Sequence, residues 1–571
     1  MQHLSGAQII VELLERQGIR IVSGIPGGGN LPLYDALSRS GKIHHVLARH
    51  EQGAGFIAQG MARVTGRPQV CIATSGPGVT NILTAIADAK LDSIPLVCIA
   101  GQVPRSMIGT SAFQEVDTYR LSLPITKKSF KAGSASELLQ IIPDAFRIAA
   151  SGRRGPVLID VPRDVQAETV DVEAWPAPGE PDPAPAFPAE DVLPAVEAIN
   201  AAKRPILFLG GGVIHADAGR LAVLLAKKAS IPVATSLMGL GAIPSYHPLC
   251  LGLIGMHAAV YTNMALEECD LLISAGVRFD DRATGKLAEF CPQAKVIHID
   301  IDPGEIGRLK TAHIGITGDI GEVLDTILPM VKDSSREEWL ARIEVLKRAY
   351  PLPFPPDGNL DAPYGLIRET ARLLGDEAIV ATDVGQHQMW TAQAYPFQRS
   401  RQWLTSGGLG TMGFGVPAAI GAALCSPERP VVCFSGDGSL MMNIQELATA
   451  VQEGVNVKIV VFDNRCLGLV RQQQDLFFEK RLFACNFDYP ADFTRIAEGF
   501  GMRAYDLEAS ENPMDTFARA LRTNGPCLIR SQIDRDEKVY PMVPPGEPNR
   551  CMLNGVNAAL HEVRTNEKPD V

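Results

Sequence analysis

At 571 residues the chain is too long for one hydrophobic core and divides, at ordinary domain sizes, into about three domains. Its 46% hydrophobic and 20% charged residues describe a globular, water-soluble polypeptide. The net charge of −11 argues against a broad nucleic-acid or anionic-membrane surface, and no apolar run nears the roughly 20 residues of a membrane span. The eleven cysteines are scattered and free of any Cys-x-x-Cys, and Cys71, Cys98 and Cys433 sit in apolar runs. They read as buried reduced thiols, which implies a cytoplasmic setting.

From Ser5 to Leu14 apolar residues recur at helical spacing, so a helix is expected almost at once and no signal or transit peptide is visible. Strand candidates follow at 19–25, 43–48, 69–74 and 94–101, separated by helical stretches, the pattern of a parallel sheet with covering helices. Two loops here, Ile25-Pro26-Gly27-Gly28-Gly29-Asn30 and Thr74-Ser75-Gly76-Pro77-Gly78-Val79-Thr80-Asn81, leave strands and enter helices. Between a strand and a helix also stands Glu51. It is either favourable charge in a first helical turn or a functional carboxylate. Gly53, Ala54, Gly55, Ala58 and Gly60 behind it favour function, because so smooth a helix face can approach a neighbour closely.

Six prolines within 176–188 read as an extended linker. A second α/β unit opens at Pro205–Gly212 and continues through strand candidates 270–275 and 295–301. Gly210-Gly211-Gly212, Met256-His257, Arg278, Asp300-Ile301 and Gly318-Asp319 fall in strand-end loops, a layout that suits a dinucleotide. Pro351, Pro353, Pro355 and Pro356 mark a further linker before the third unit. The reading is therefore α/β, with three doubly wound parallel-sheet domains over 1–175, 190–345 and 360–571.

In the third unit, Pro430 to Cys433 reads as a buried strand, Ser439 to Ala448 as a helix capped by Ser439, and Val457 to Phe462 as a second strand. Such a unit is a right-handed parallel crossover. It puts Asp437 and Asn464 at the carboxyl ends of two strands, where open sheets bind ligands. One anionic and one neutral oxygen ligand suit Mg²⁺. Gly436 and Gly438 let the backbone approach a pyrophosphate, and the helix N-terminus at Ser439 faces the same charge.

Gly436-Asp437-Gly438-Ser439 answered by Asn464 resembles the thiamine diphosphate motif of the thiamine diphosphate-dependent decarboxylases and carboligases. The resemblance sharpens to the acetohydroxyacid (acetolactate) synthase catalytic subunits, closest to the bacterial isozyme I type, and covers nearly the whole chain. It is carried by Arg49 to Ala62, Ala112-Phe113-Gln114-Glu115-Val116-Asp117, Gly276 to Arg282, Gly407 to Phe414 and Glu537 to Gly546. It implies decarboxylation of pyruvate and condensation of the two-carbon unit with a second 2-keto acid, pyruvate or 2-ketobutyrate, in branched-chain amino-acid biosynthesis.

By the same resemblance Mg²⁺ would be held by Asp437, Asn464 and the carbonyl of Cys466. Thiamine diphosphate would meet Pro26, Gly27, Glu51, Pro77 and Asn81 on one side. On the other it would meet Gly385, Gln386, His387, Gly410, Met412, Gly436 to Ser439, Asn464 and Leu467-Gly468-Leu469. Glu51 would touch the aminopyrimidine, Gln114 would orient polar groups, and Phe113 would shape the pocket. Structural FAD would lie against Arg153, Gly210, Gly211, Gly212, Met256, His257, Arg278, Asp280, Asp300, Ile301 and Asp319. Arg282 would hold the carboxylate of the second substrate.

The resemblance also implies a homodimer or homotetramer with sites shared between protomers, and a small regulatory subunit. Three positions depart from the family pattern. Gln473 stands where many relatives have Trp, so an apolar wall for the second substrate is missing. Arg163 replaces Lys with the charge kept, and Asp463 replaces Asn. Competing readings are a pyruvate oxidase-type enzyme that reduces its flavin, a FAD-independent catabolic acetolactate synthase, an idle homologue and an NAD-dependent dehydrogenase.

Overall fold

The computed structural model describes residues 2–489 and 491–555. Each of three segments folds as a six-stranded, wholly parallel sheet flanked by helices. The first has the spatial order His44–Leu47, Ile21–Gly24, Gln69–Ala73, Leu96–Gln102, Pro156–Pro162, Lys128–Lys131. The second runs Cys250–Leu253, Val233–Thr235, Pro205–Leu209, Leu271–Ala275, Lys295–Asp300, Ile314–Thr317. The third runs Trp403–Leu404, Ile379–Thr382, Val431–Gly436, Val457–Asp463, Cys527–Gln532, Arg503–Asp506.

Continuous runs of Val, Ile, Leu and Ala fill the central strands because both faces are covered by helices. In each sheet the chain order reverses between two neighbouring strands: Ile21–Gly24 and Gln69–Ala73, Pro205–Leu209 and Leu271–Ala275, Ile379–Thr382 and Val431–Gly436. The loops leaving such a pair part to opposite faces and open a crevice between them.

Several expectations are refined. The first helix is Gly6–Arg16 with Ser5 as its cap, and before it Gln2–Ser5 pairs antiparallel with Thr169–Val172. The helix expected to start at Ser439 is divided: Asp437–Leu440 forms one short turn, capped by Gly436, and the chain resumes helix only at Glu446–Glu453. The break lets Asn443 turn inward and donate to the Gly413 carbonyl at 2.7 Å, while Met441 and Met442 are left exposed. The proline segment at 176–188 has no regular structure but is not free. Gly179 lies so close to the Pro143 carbonyl that a Cβ would overlap it, and Phe187 packs beside Gly318. No described helix is long and apolar enough to cross a membrane.

The first and third domains share one core through two helices, Glu51–Thr65 and Gly415–Cys425. Their small residues bring the backbones into contact. A Cβ on Gly60 would overlap the Ala418 carbonyl oxygen, and one on Gly421 would overlap that of Ile57. The smooth face behind Glu51 is thus spent on a neighbour within the same chain. Gly421→Ala should force the helices apart and cost about 1–3 kcal/mol, the usual penalty of overpacking, read as a lowered urea midpoint.

Candidate functional site

The third sheet's reversal brings two predicted segments face to face. Gly385, with φ of 153°, caps the helix Gln386–Ala394, and His387 on that helix stands against Gly436 of the neighbouring strand. A Cβ at Gly436 would lie 3.0 Å from His387 Nδ1, and His387 Nε2 is buried without a hydrogen-bond partner among the described residues. Burial pushes the His387 imidazole down to about 3, so it is neutral.

Beside it Asp437 is buried at 3% exposure and accepts the Gly438 N–H at 2.7 Å. Burial, with the charge of Asp463 adding, pushes its carboxyl up to about 7. A site this costly for a bare carboxylate is one that a cation would stabilise. Asn464 Oδ1 accepts the Cys466 N–H at 3.2 Å, and its Nδ2 donates to Gln386 Oε1 at 3.2 Å. Gln386 in turn donates to Gln472 (3.1 Å) and to the Glu537 carbonyl (2.7 Å). Leu467 covers Gly438 and caps the helix Gly468–Phe477, which begins at Gly468 and Leu469. Ser439 Oγ accepts the Gly436 N–H at 3.2 Å. Asp463 pairs with Arg530 at 2.7 Å, which explains how an anion is accommodated beside Asn464. No cluster of three or more His, Cys, Asp or Glu side chains suited to a metal occurs among the described residues, so any metal here draws on amide or carbonyl oxygens.

The first sheet gathers a second group. Gly27 donates its N–H to Asn30 Oδ1 (2.8 Å), and Gly29 donates to Thr74 Oγ1 (3.2 Å), so the loop carrying Pro26 is bound to the loop before Pro77. Pro77 opens the helix Pro77–Leu91. Glu51 opens the helix Glu51–Thr65, is 8% exposed, and accepts a hydrogen bond from Asn81 Nδ2 at 2.9 Å. Gln114 has φ of +60°, and its Cβ would be 2.8 Å from a Cβ on Gly76. Phe113 is 88% exposed, so within one chain it lines no cavity.

A third crevice, at the reversal of the central sheet, forms a cavity of about 890 Å³. It is lined by Arg153, Gly211, Gly212, Met256, His257, Arg278, Asp280, Asp300, Ile301 and Asp319, together with Arg282, Gly410, Leu469 and Gln473. Gly210 lies just behind, where a Cβ would overlap the Gly276 carbonyl oxygen, and a Cβ at Gly212 would come within 2.6 Å of Gly276 Cα. Asp280 and Asp319 cap the helices Asp281–Thr284 and Ile320–Met330. Arg153 pairs with Glu305 at 2.5 Å, and burial pushes Asp300 up to about 6. His257 Nδ1 donates to the Pro541 carbonyl (3.2 Å), and burial pushes the imidazole down to about 4. Arg282 is 62% exposed, with Asp281 3.8 Å away and Met256 Sδ within 3.7 Å. Met412 is half-buried, and Arg163 is exposed at the start of the helix Arg163–Ala167.

The sequence reading missed the knot that holds these crevices together. Arg63, on the Glu51 helix, donates to Asp92 Oδ2 (2.8 Å) and Asp88 Oδ1 (3.2 Å), all three being buried. Asp88 also accepts from the Ser406 hydroxyl and from Thr411 Oγ1 (3.1 Å). Asp92 accepts the N–H groups of Gly407 (3.0 Å) and Gly408 (2.7 Å). The loop bearing Gly410 and Met412 is thereby fixed to the first domain. Arg278 of the central domain donates to the neighbouring Leu91 carbonyl. The available signal was two acids within the apolar helical run Ala85-Ile86-Ala87-Asp88-Ala89 to Asp92.

Sequence models of thiamine pyrophosphate enzymes match all three domains: the N-terminal TPP binding domain over residues 4–121, the central domain over 192–327, and the C-terminal TPP binding domain over 383–531. The chain belongs to the thiamine pyrophosphate enzyme family. It is 56% identical over 552 residues to the acetolactate synthase isozyme 1 large subunit of Escherichia coli K12, covering 97% of this chain and 98% of that one. The isozyme 2 large subunit of the same organism is 44% identical over 553 residues, covering 96% and 99%. An acetolactate synthase large subunit from Corynebacterium glutamicum is 44% identical over 563 residues, covering 96% and 90%. Within the family the chain falls among the acetolactate synthase large subunits.

Thiamine diphosphate is the coenzyme of this thiamine pyrophosphate enzyme, and the residues present fit it. The unpartnered His387 Nε2 and the side-chain-free surface at Gly436 stand beside the buried Asp437, a grouping that suits a metal-bound diphosphate. Arg63→Met should leave two buried carboxylates without their cation. The expected loss is about 3–5 kcal/mol of stability, checked by chemical denaturation.

Proposed function

We propose that the protein is an acetolactate synthase large subunit, which decarboxylates pyruvate and joins the two-carbon unit to a second 2-keto acid, a step of branched-chain amino-acid biosynthesis. One observation carries this: a chain 56% identical to an acetolactate synthase large subunit has Glu51, Asp437 and Asn464 in the segments that follow strand ends. The domain limits proposed with it are 1–175, 190–345 and 360–571, the last extending past the described residues.

Bound thiamine diphosphate supplies the electron sink for loss of CO₂. Asp437, Asn464 and the Cys466 carbonyl would hold Mg²⁺, and His387, whose buried Nε2 has no partner among the described residues, would help bind the diphosphate. Gly385, Gln386, Gly438, Ser439, Leu467, Gly468 and Leu469 would build the walls of its site, and Gly410 with Met412 would pack against it. Glu51, steadied by Asn81, would hydrogen-bond the coenzyme's aminopyrimidine, and Pro26, Gly27 and Pro77 would lie beside it. Gln114 orients the substrate's polar groups, and Arg282, exposed at the mouth of the central cavity, pairs with the carboxylate of the second keto acid.

FAD fits the central cavity, whose volume of about 890 Å³ is large enough for a cofactor and whose glycine wall allows backbone approach. It would be held by Arg153, Gly210, Gly211, Gly212, Met256, His257, Arg278, Asp280, Asp300, Ile301 and Asp319. A homodimer or homotetramer is supported by large apolar side chains exposed on both outer domains. Met107, Phe113, Leu121 and Leu123 lie on the first and Phe478, Phe483 and Tyr489 on the third. In such an assembly Phe113 would be covered and could shape a pocket. The relatives' designation as large subunits supports a small regulatory partner.

Purified protein incubated with pyruvate, thiamine diphosphate, Mg²⁺ and FAD should form acetolactate with the flavin remaining oxidised. Flavin bleaching without acetolactate would instead establish an oxidase. Under the same conditions Glu51→Gln should fold and bind Mg²⁺ yet lose about 100-fold or more in turnover, as removal of an acid–base group does. Gln473 lines the same cavity as Arg282 and Met256 and offers no apolar wall. One methylene is worth about 1–3 kcal/mol in an apolar pocket. Gln473→Trp should therefore raise the preference for 2-ketobutyrate over pyruvate by about 10-fold or more in competition assays.

A further inference from the structure

The helix that carries Glu51 starts on a carboxylate supplied by the third domain. Glu446 opens the helix Glu446–Glu453 and is fully buried, with 0% exposure. Its Oε1 accepts the backbone N–H of Arg49 and of His50, both at 3.0 Å, and its Oε2 accepts from Thr449 Oγ1 at 2.7 Å. Gly53 makes the approach possible, because a Cβ there would stand 2.7 Å from Glu446 Cδ. An anion at this end of the helix Glu51–Thr65 also gains from the helix dipole. The two elements are held together further by Arg49, which donates to Gln452 at 2.7 Å, and by His44, 2.6 Å from Glu453.

The consequence for Glu51 is direct. Asn81 steadies its carboxylate from within the first domain. Glu446 fixes the two peptide groups immediately before it from the segment that follows Asp437. One buried oxygen receives two N–H groups, which a charged acceptor does best. Removing it leaves two part-buried donors without their acceptor in the turn that sets Glu51's height.

We propose that Glu446 is a positioning residue for Glu51, holding the Arg49–His50 backbone so that the Glu51 carboxylate meets the coenzyme at reacting distance. The inference rests on the reading of Glu51 as the coenzyme-facing acid. In an assembly whose sites are shared between protomers, Glu446 also joins the acid of one site to the Asp437 segment of the other. Glu446 itself touches neither coenzyme nor substrate.

The test uses the full-length protein with Glu446→Ala and Glu446→Gln. Hydrogen–deuterium exchange on cofactor-free protein reads the amides of Arg49 and His50, and steady-state assays with thiamine diphosphate and Mg²⁺ read kcat and KM for pyruvate. Glu446→Ala should exchange faster over residues 47–52 and lose about 100-fold in kcat, the order expected when a reacting group is misplaced by an ångström. KM should be nearly unchanged, because substrate contacts are intact. Glu446→Gln keeps a carbonyl oxygen for the same donors and should recover most of both properties. If Glu446→Ala fails to fold, Glu446→Gln decides: slow exchange with high kcat supports the proposal, and slow exchange with low kcat overturns it. Faster exchange with undiminished kcat, or unchanged exchange in Glu446→Ala, overturns it as well. Wild-type protein that forms no acetolactate would overturn the functional reading instead, a result separate from these.

Discussion

The contact on which most of this structure depends is the backbone-to-backbone crossing of the helices Glu51–Thr65 and Gly415–Cys425. Dispersion falls off steeply with distance, so two helices that touch through Gly60 and Gly421 gain contacts that larger side chains would forfeit. The crossing fuses the first and third sheets into one hydrophobic core. It also fixes where Glu51 begins, because the same helix that packs so closely starts at that residue. The carboxylate is therefore set by an interface between domains as well as by its own sheet.

Around the crossing, charge does what packing alone cannot. Arg63 lies over the Phe414 ring at 4.9 Å and carries two buried carboxylates. Burial and the neighbouring Asp92 push Asp88 up to about 6, with the Arg63 charge pulling the other way. Each acid spends its remaining lone pairs on the 406–411 loop, so the loop takes one position relative to the first domain. Buried ion pairs of this kind add little to net stability but penalise every arrangement that leaves a member unpaired. Here the penalised arrangements are those that would move Gly410 and Met412 away from the first domain.

The three crevices share one origin. Each arises where a parallel sheet reverses its chain order, and each is lined by glycines at which a Cβ would crowd a neighbouring side chain or backbone. The fold supplies the same opening three times and the local residues differ. Asp437 with Asn464 offers oxygen ligands, Glu51 with Asn81 offers a steadied carboxylate, and the central cavity offers glycine walls with cap carboxylates at Asp280 and Asp319. The Gln386–Gln472–Val539 bonds then tie the metal-side segment to the C-terminal stretch, which also reaches His257 of the central domain.

The local sequence was enough to determine the α/β class, the flanking strands and the crossover that delivers Asp437 and Asn464, because buried parallel strands must be apolar throughout and their turns must be glycine-rich. It was not enough for the path after Ser439. Apolar spacing there suggests one helix, yet Asn443 and Glu446 are drawn inward by Gly413 and by the Arg49–His50 backbone, partners distant in the chain. The same holds for Arg63, Asp88 and Asp92, whose roles exist only once the loop at Ser406 arrives beside them. Hydrophobic periodicity is a property of neighbours in sequence, whereas the pairing of buried polar groups is settled by whichever domains meet, and only the tertiary structure decides that.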